Sequence, residues 1–592
     1  MQNVTEIHWD LSELHDSVSV EHTQPIFDSI QQDAQSFSDQ YKGRVDSLDA
    51  QSIHAALLDY DRIRSRVYQL SQFAHLHYAV DVQDADVLKF MSKVDEFSSD
   101  MSNMLMFFFL EIGVASVTQH DIWAKDPVNE PYTYVLSQAF EKNKYRLSEK
   151  EEQLVNLKDL TGVDALKKMY GEHTARYEFK MVVDGHEKIM NGTECRALRY
   201  HHDPVVRRDA MALFFKRYEQ DEHLMVQWFN SVIKDYNVER IHRGYSSPIS
   251  CMNIRNDLPD GLVDMLHDIT SSSNGLVQRY YRLKKQVLGL DKMTLSDIYA
   301  PMGSTVASIP WDEAKGLVLD SFSAFDDDFY RYAKDMFDSN RLDVFPSKVK
   351  RGGAFCSSSR PDVRPYVMLN YLGKQRDIAT LAHELGHAIH AYFSSKQPLI
   401  NYHAILPVCE TASVFCEMLV VDALKKTAAT PDETMVLLAT KLEDIFATSH
   451  RQHMFSCFEQ EIHHQISTHR LSGPEIKAIY AKQLSAMFGD SVDIPLEYHW
   501  EWAAIPHMLD VPFYVYSYNF GNLLVLGLYQ MYLDEGVAFV PKLKRILSSG
   551  SSVSPVDLMA NEGIDILSQE FWMRSIRYID TILDEFESVV VA

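Results

Sequence analysis

The stretch Leu381-Ala382-His383-Glu384-Leu385-Gly386-His387-Ala388-Ile389-His390 constrains the chain more than any other. Its apolar residues recur at helical spacing. On a helix, His383 and His387 stand one turn apart on one face, so both imidazoles reach a common point. Glu384 lies about 100° around the helix from His383. Two imidazoles with an adjacent carboxylate suit a bound metal ion and a general base for the water it activates. Asp377 is expected to cap the start of this helix. Gly386 costs about 1 kcal/mol of helix propensity relative to alanine, so close packing is expected against it.

Zinc in a hydrolytic site takes three protein ligands and keeps one position for water. Ser394-Ser395-Lys396-Gln397-Pro398 reads as a break, and Pro407 suits the first turn of a second helix. On that helix Glu410 and Glu417 share a face of an otherwise apolar stretch. Buried carboxylates need partners. Glu410 is expected to be the third ligand to a single Zn2+. Glu417 is expected to orient a ligand histidine from behind. Cys409 points away from Glu410 around the helix and reads as a structural thiol.

His383-Glu384-Leu385-Gly386-His387 followed by Glu410-Thr411-Ala412-Ser413 resembles the oligoendopeptidase F branch of the thimet oligopeptidase family. Lys350-Arg351-Gly352-Gly353-Ala354-Phe355-Cys356 and Tyr366-Val367-Met368-Leu369-Asn370-Tyr371 resemble the strands that family places beside its active site. Ile505-Pro506-His507 and Pro512-Phe513-Tyr514-Val515-Tyr516-Ser517-Tyr518 resemble its late His/Tyr segment. The likeness implies a mainly α, two-lobed peptidase enclosing a deep channel, with a small β-sheet next to the zinc helix. It implies a zinc endopeptidase that cuts short unstructured oligopeptides. By position, His507 and Tyr516, with Tyr514 and Tyr518 beside them, supply donors to the reacting carbonyl. The family commonly has His-Phe-Tyr where this chain has His507-Met508-Leu509, which shifts weight to the later tyrosines. Tyr514 and Tyr518 share a helix face that Tyr516 does not.

Two other readings stay open. A zinc carboxypeptidase or dipeptidase needs a cation for the substrate's free carboxylate, and Arg351 or Arg360 could serve. A catalytically inactive peptide-binding protein is the other, and the intact His383, Glu384, His387 and Glu410 set argues against it.

The rest of the chain bounds this picture. A formal net charge of −26, with no basic patch, argues against a nucleic-acid partner. Six cysteines without a C-x-x-C pair make no disulfide framework. Residues 1–6 are polar and read as no secretory leader. The apolar run 104–110 is far too short for a membrane span. A cytoplasmic protein is expected. Residues 1–195 read as an amino-terminal helical region, including an oligopeptidase F-like segment at about 115–185, and 196–592 as the catalytic domain. Long helices are expected up to about residue 125. In 179–190, Asp184-Gly185 between β-prone runs predicts a hairpin. Strand signals dominate 351–372, where an edge strand could pair with a peptide. His201 and His202 read as surface residues. His450, His453, His463, His464 and His469 show no consistent ligand spacing and read as packing or surface residues. Gly521 and Gly527 are expected to interrupt the helix that contains them.

Overall fold

Side-chain caps and apolar stripes set out the first helices. Ser19, Asp49 and Asp84 each accept from an amide of the turn they open, starting helices Val20–Tyr41, Ala50–Val80 and Ala85–Leu105. Along the first, Phe27, Ile30, Ala34, Phe37 and Tyr41 fall on one face, and all are buried. They share a core with Phe90, Val94, Phe97, Phe108 and Trp123. This computed structural model describes residues 7–303 and 308–591. The fold is mainly α, as expected, with two small sheets.

The chain divides into two compact units. The first combines Met1–Lys144, Val306–Thr427 and Leu528–Asp565; the second combines Tyr145–Thr305, Ala428–Gly527 and Ile566–Ala592.

The second unit contains the hairpin of β1 (Phe179–Val183) and β2 (His186–Met190). Asp184 and Gly185 both take positive φ, 52° and 79°, as a two-residue turn of this kind requires. A buried Arg207–Asp297 pair at 2.7 Å ties helix Pro204–Gln220 to a later turn. Helix Tyr516–Glu535 runs through Gly521 and Gly527 without interruption, contrary to expectation. At Gly527 a Cβ would stand 2.8 Å from the Phe571 ring and 2.9 Å from Ser575 Oγ. That glycine is there for close approach, not for a break.

In the first unit, β3 (Leu342–Asp343), β4 (Phe355–Ser357) and β5 (Tyr366–Met368) form a three-stranded sheet in the order β3-β5-β4. β5 is central and fully buried, while β4 is an edge strand. The two-residue β3 was not anticipated. The sheet borders helix Gln375–Ser394, which carries the His-Glu motif. That helix starts earlier than expected, so Asp377 is not its N-cap. Its carboxylate instead accepts from the amides of Leu372 and Lys374, at 2.8 and 3.0 Å, and holds the entering chain.

The second expected helix is broken in two. A short turn, Leu406–Cys409, ends at Glu410, and helix Thr411–Thr427 begins at the next residue. The Glu410 carbonyl accepts from the Val414 amide at 3.1 Å, so Glu410 stands at the mouth of the longer helix. This helix lies tightly on the motif helix. A Cβ on Gly386 would come within 2.5 Å of Ser413 Cα and 2.7 Å of the Ala412 carbonyl oxygen. The glycine in the motif is what lets the two backbones meet. Among the described residues, no single helix is long and apolar enough to cross a membrane.

Candidate active site

The close approach at Gly386 brings the motif histidines to the start of the neighbouring helix. His383 Nε2 and His387 Nε2 are 3.1 Å apart. Glu410 Oε2 is 3.4 Å from each. Ligand atoms about 2.0–2.2 Å from a tetrahedral zinc stand about 3.3–3.5 Å from one another. The three atoms therefore form a face of the right size for such an ion. Two ring nitrogens facing each other at this distance also need a cation or a proton between them. The donor set fits zinc.

The atoms behind this face fix it. Glu417 Oε1 accepts from His383 Nδ1 at 2.5 Å, which turns Nε2 forward. The Ser413 hydroxyl donates to Glu410 Oε2 at 2.7 Å. His383, His387 and Glu410 side chains remain 25%, 26% and 37% exposed, so the face is open. Burial would depress His383, but the Glu417 hydrogen bond and the nearby carboxylates raise it to about 9. Burial would raise Glu410, but His387 and His383 hold it down at about 2. The pocket is built around positive charge. Glu384 is buried, and that burial pushes its carboxyl up, against the pull of the two histidines. A raised carboxyl is a stronger base once ionised.

A cavity of about 350 Å³ opens over these residues. Ala354, Phe355 and Cys356, at the edge strand β4, form one wall; His383, Glu384 and His387 form another. His390 also lines it and was assigned no role from sequence. It follows His387 by three residues, on the same side of the helix. Burial pushes it down to about 4, and its Nε2 has no hydrogen-bond partner among the described residues. Arg351 and Arg360 do not border this cavity. Arg360 is engaged by Asp362 and Gln69.

The late segment lies in the second unit. His507 opens a four-residue turn and is exposed. Its ring stacks on Tyr514 at 6.0 Å between centroids, and Tyr514 meets Tyr518 edge-on at 5.1 Å. Tyr516 points the other way. It is fully buried, and its hydroxyl accepts from Asn256 Nδ2 at 2.9 Å. Phe513 takes a positive φ of 62°, and its amide donates to the buried Glu459 at 3.0 Å, which sets the bend before the tyrosines.

A mainly helical chain in which a His-Glu-x-x-His helix meets a carboxylate on the adjoining helix has the site of a peptidase. Residues 318–578 match the model of peptidase family M3, and residues 117–179 match the model of oligopeptidase F. The chain is thus similar to peptidase family M3 in its later part and to oligopeptidase F in an earlier segment. Oligopeptidase PepF of Bacillus subtilis is 26% identical over 93% of this chain and 83% of its own length. Group B oligopeptidase PepB of Streptococcus agalactiae is 25% identical over 98% and 97%. In fold, a Chlamydophila abortus chain assigned as a peptidase superposes with a TM-score of 0.86 at 22% identity, over 98% of both chains. Oligoendopeptidase F of Enterococcus faecium does so at 0.73 and 21%, over 96% and 99%.

Proposed function

We propose that this peptidase is a zinc-dependent endopeptidase that hydrolyses short, unstructured oligopeptides in the cytoplasm. The observation that carries the reading is the triangle of His383 Nε2, His387 Nε2 and Glu410 Oε2, with edges of 3.1, 3.4 and 3.4 Å. These three residues would hold one zinc ion. When bound, zinc supplies a Lewis acid and brings the pKa of water toward about 7.

The chain's own residues do the rest. Glu384 takes a proton from the attacking water at its carboxylate and delivers it to the leaving amine. Its burial keeps that proton from bulk water. Glu417 holds His383 in the tautomer that presents Nε2. β4 is an edge strand on the cavity wall, and an extended peptide would pair along it. Backbone pairing reads extension more than side-chain identity, which suits a broad range of flexible peptides. The donors to the negative charge that develops on the carbonyl oxygen are, on the family resemblance, the exposed His507 and the half-buried Tyr514 on which it stacks. Tyr516, expected beside them, has its hydroxyl committed to Asn256 in the core and is left out of this role. Six unpaired cysteines accord with a reducing compartment.

Incubation of a peptide mixture with the protein, followed by mass spectrometry, tests the proposal. Internal cleavage that a chelator abolishes and added zinc restores is expected. An amidated peptide should be cut as readily as its free acid. Cleavage that survives complete metal removal would overturn the zinc reading. Loss of cleavage on amidation would turn it to a carboxypeptidase.

A further inference from the structure

Helices Asp260–Ser272 and His450–Thr468, both in the second unit, bring His267, His453 and Cys457 together. One candidate ligand atom from each lies within 4.8 Å of the others. His453 and Cys457 are four residues apart on one helix, the same spacing as His383 and His387. Cys457 Sγ is 3.6 Å from His453 Nε2. A nitrogen at about 2.0–2.1 Å and a sulfur at about 2.3 Å from one tetrahedral zinc are about 3.5 Å apart.

His267 comes from the other helix with its tautomer already set. Its Nδ1 donates to the Val263 carbonyl at 2.8 Å, which leaves the Nε2 lone pair for a ligand. Nε2 accepts from the Ser456 hydroxyl at 2.9 Å, a rotor that turns aside at little cost. His267 and His453 are buried, and burial favours their neutral, ligating form. The hydrogen-bond neighbour of the His453 ring, among the described residues, is the Cys457 sulfur. A buried imidazole satisfied by so weak a partner is costly unless another group joins it.

We propose that His267, His453 and Cys457 hold a second zinc ion, a structural one that clamps helices Asp260–Ser272 and His450–Thr468. These residues supply three of its four tetrahedral positions. Burial, with the Asp268 carboxylate nearby, pushes the Cys457 thiol up to about 12 in the absence of metal. Binding therefore replaces the S–H bond by an S–Zn bond and releases that proton to water. Zinc and thiolate together leave one positive charge, which Asp268 partly offsets. This inference does not rest on the motif site.

Metal content of the full-length protein tests it. Wild-type protein reconstituted with zinc and dialysed is expected to retain a second equivalent beyond the one at the motif site. Cys457→Ser should lose that equivalent and keep peptidase activity. A fold-independent check leaves the second trio intact. In Glu410→Ala/Cys409→Ser, which removes the motif ligand and the thiol beside it, added cobalt should give a thiolate-to-cobalt charge-transfer band. Adding Cys457→Ser should erase that band. Zinc content that Cys457→Ser leaves unchanged, or no band in the double variant, overturns the proposal. So does a band that survives Cys457→Ser.

Discussion

Helix Gln375–Ser394 and helix His450–Thr468 each present two potential metal ligands four residues apart, and each meets a third from a neighbouring segment. The first trio ends in a carboxylate, stays 25–37% exposed, and faces a cavity that also contains Glu384. The second ends in a thiol, and both of its histidines are buried. Helical spacing alone does not separate a catalytic site from a clamp. Openness and a carboxylate able to move a proton do. A reactive site needs a face left for water and substrate, whereas a structural one gains by closing.

The sharpest way to break this comparison is at the proton carrier. Glu384→Gln should lower turnover by about 10²–10⁴-fold, because an amide cannot accept the proton, while metal content stays unchanged. Rates on a flexible peptide, read beside metal analysis, check it. Near-normal rates would remove the feature that marks the first trio as catalytic.

The next effect tests how the first trio is assembled. Gly386→Ala places a methyl group within 2.5 Å of backbone on the adjoining helix. Backbone has no rotamer into which it can retreat, so a loss of about 3 kcal/mol is expected, at the upper end of overpacking costs. Thermal unfolding measures the loss, and metal occupancy should fall with it as Glu410 shifts from the histidines. An unchanged melting temperature would mean that the helices separate freely. Glu417→Ala is gentler. It leaves all three ligands and removes only the partner of His383 Nδ1, so metal affinity should fall about 10–100-fold. A competitive chelator titration reads that number. Wild-type affinity would show that helix packing alone orients His383.

The first trio was legible in the sequence because its logic is local. His383, Glu384 and His387 sit within five residues, and Gly386 among them predicted the tight helix contact that the structure contains. Glu410 needed only the next segment, although the break at that residue did not show, since Pro407 and the apolar run fit one continuous helix. The second trio was not legible. His267 lies far from His453 in sequence, and only the packing of two helices joins them, so His453 read as one more histidine. Gly527 misled for the same reason: its partner Phe571 is remote in sequence. The strand-rich stretch 351–372 followed from its composition and the strands at 355–357 and 366–368 from the family resemblance, while β3, two residues long, has no pattern to read.

The smallest effect concerns a carboxyl in the first unit with no histidine beside it. Asp61 meets Tyr132 Oη at 3.2 Å and backbone amides at Leu399 and Ile400. Burial raises it to about 6, more than these hydrogen bonds lower it. Glu410, equally in need of a partner, is held at about 2 because two imidazoles face it. The sign follows from proton binding. Between the unfolded value of about 3.9 and the folded value, the native state holds more protons than the unfolded one, so stability falls as pH rises through that window. Below it both states are protonated and nothing is lost; above it the full cost is present. Asp61→Asn cannot ionise and can still accept from an amide. It should therefore be more stable than wild type near neutrality, by about 1 kcal/mol after allowing for partial exposure. The gain should shrink to nothing as pH falls to about 4. Melting temperatures of the two proteins, compared across that range, decide it. A difference that does not change with pH would show that Asp61 is not held up by burial, and the contrast with Glu410 would then rest on the histidines alone.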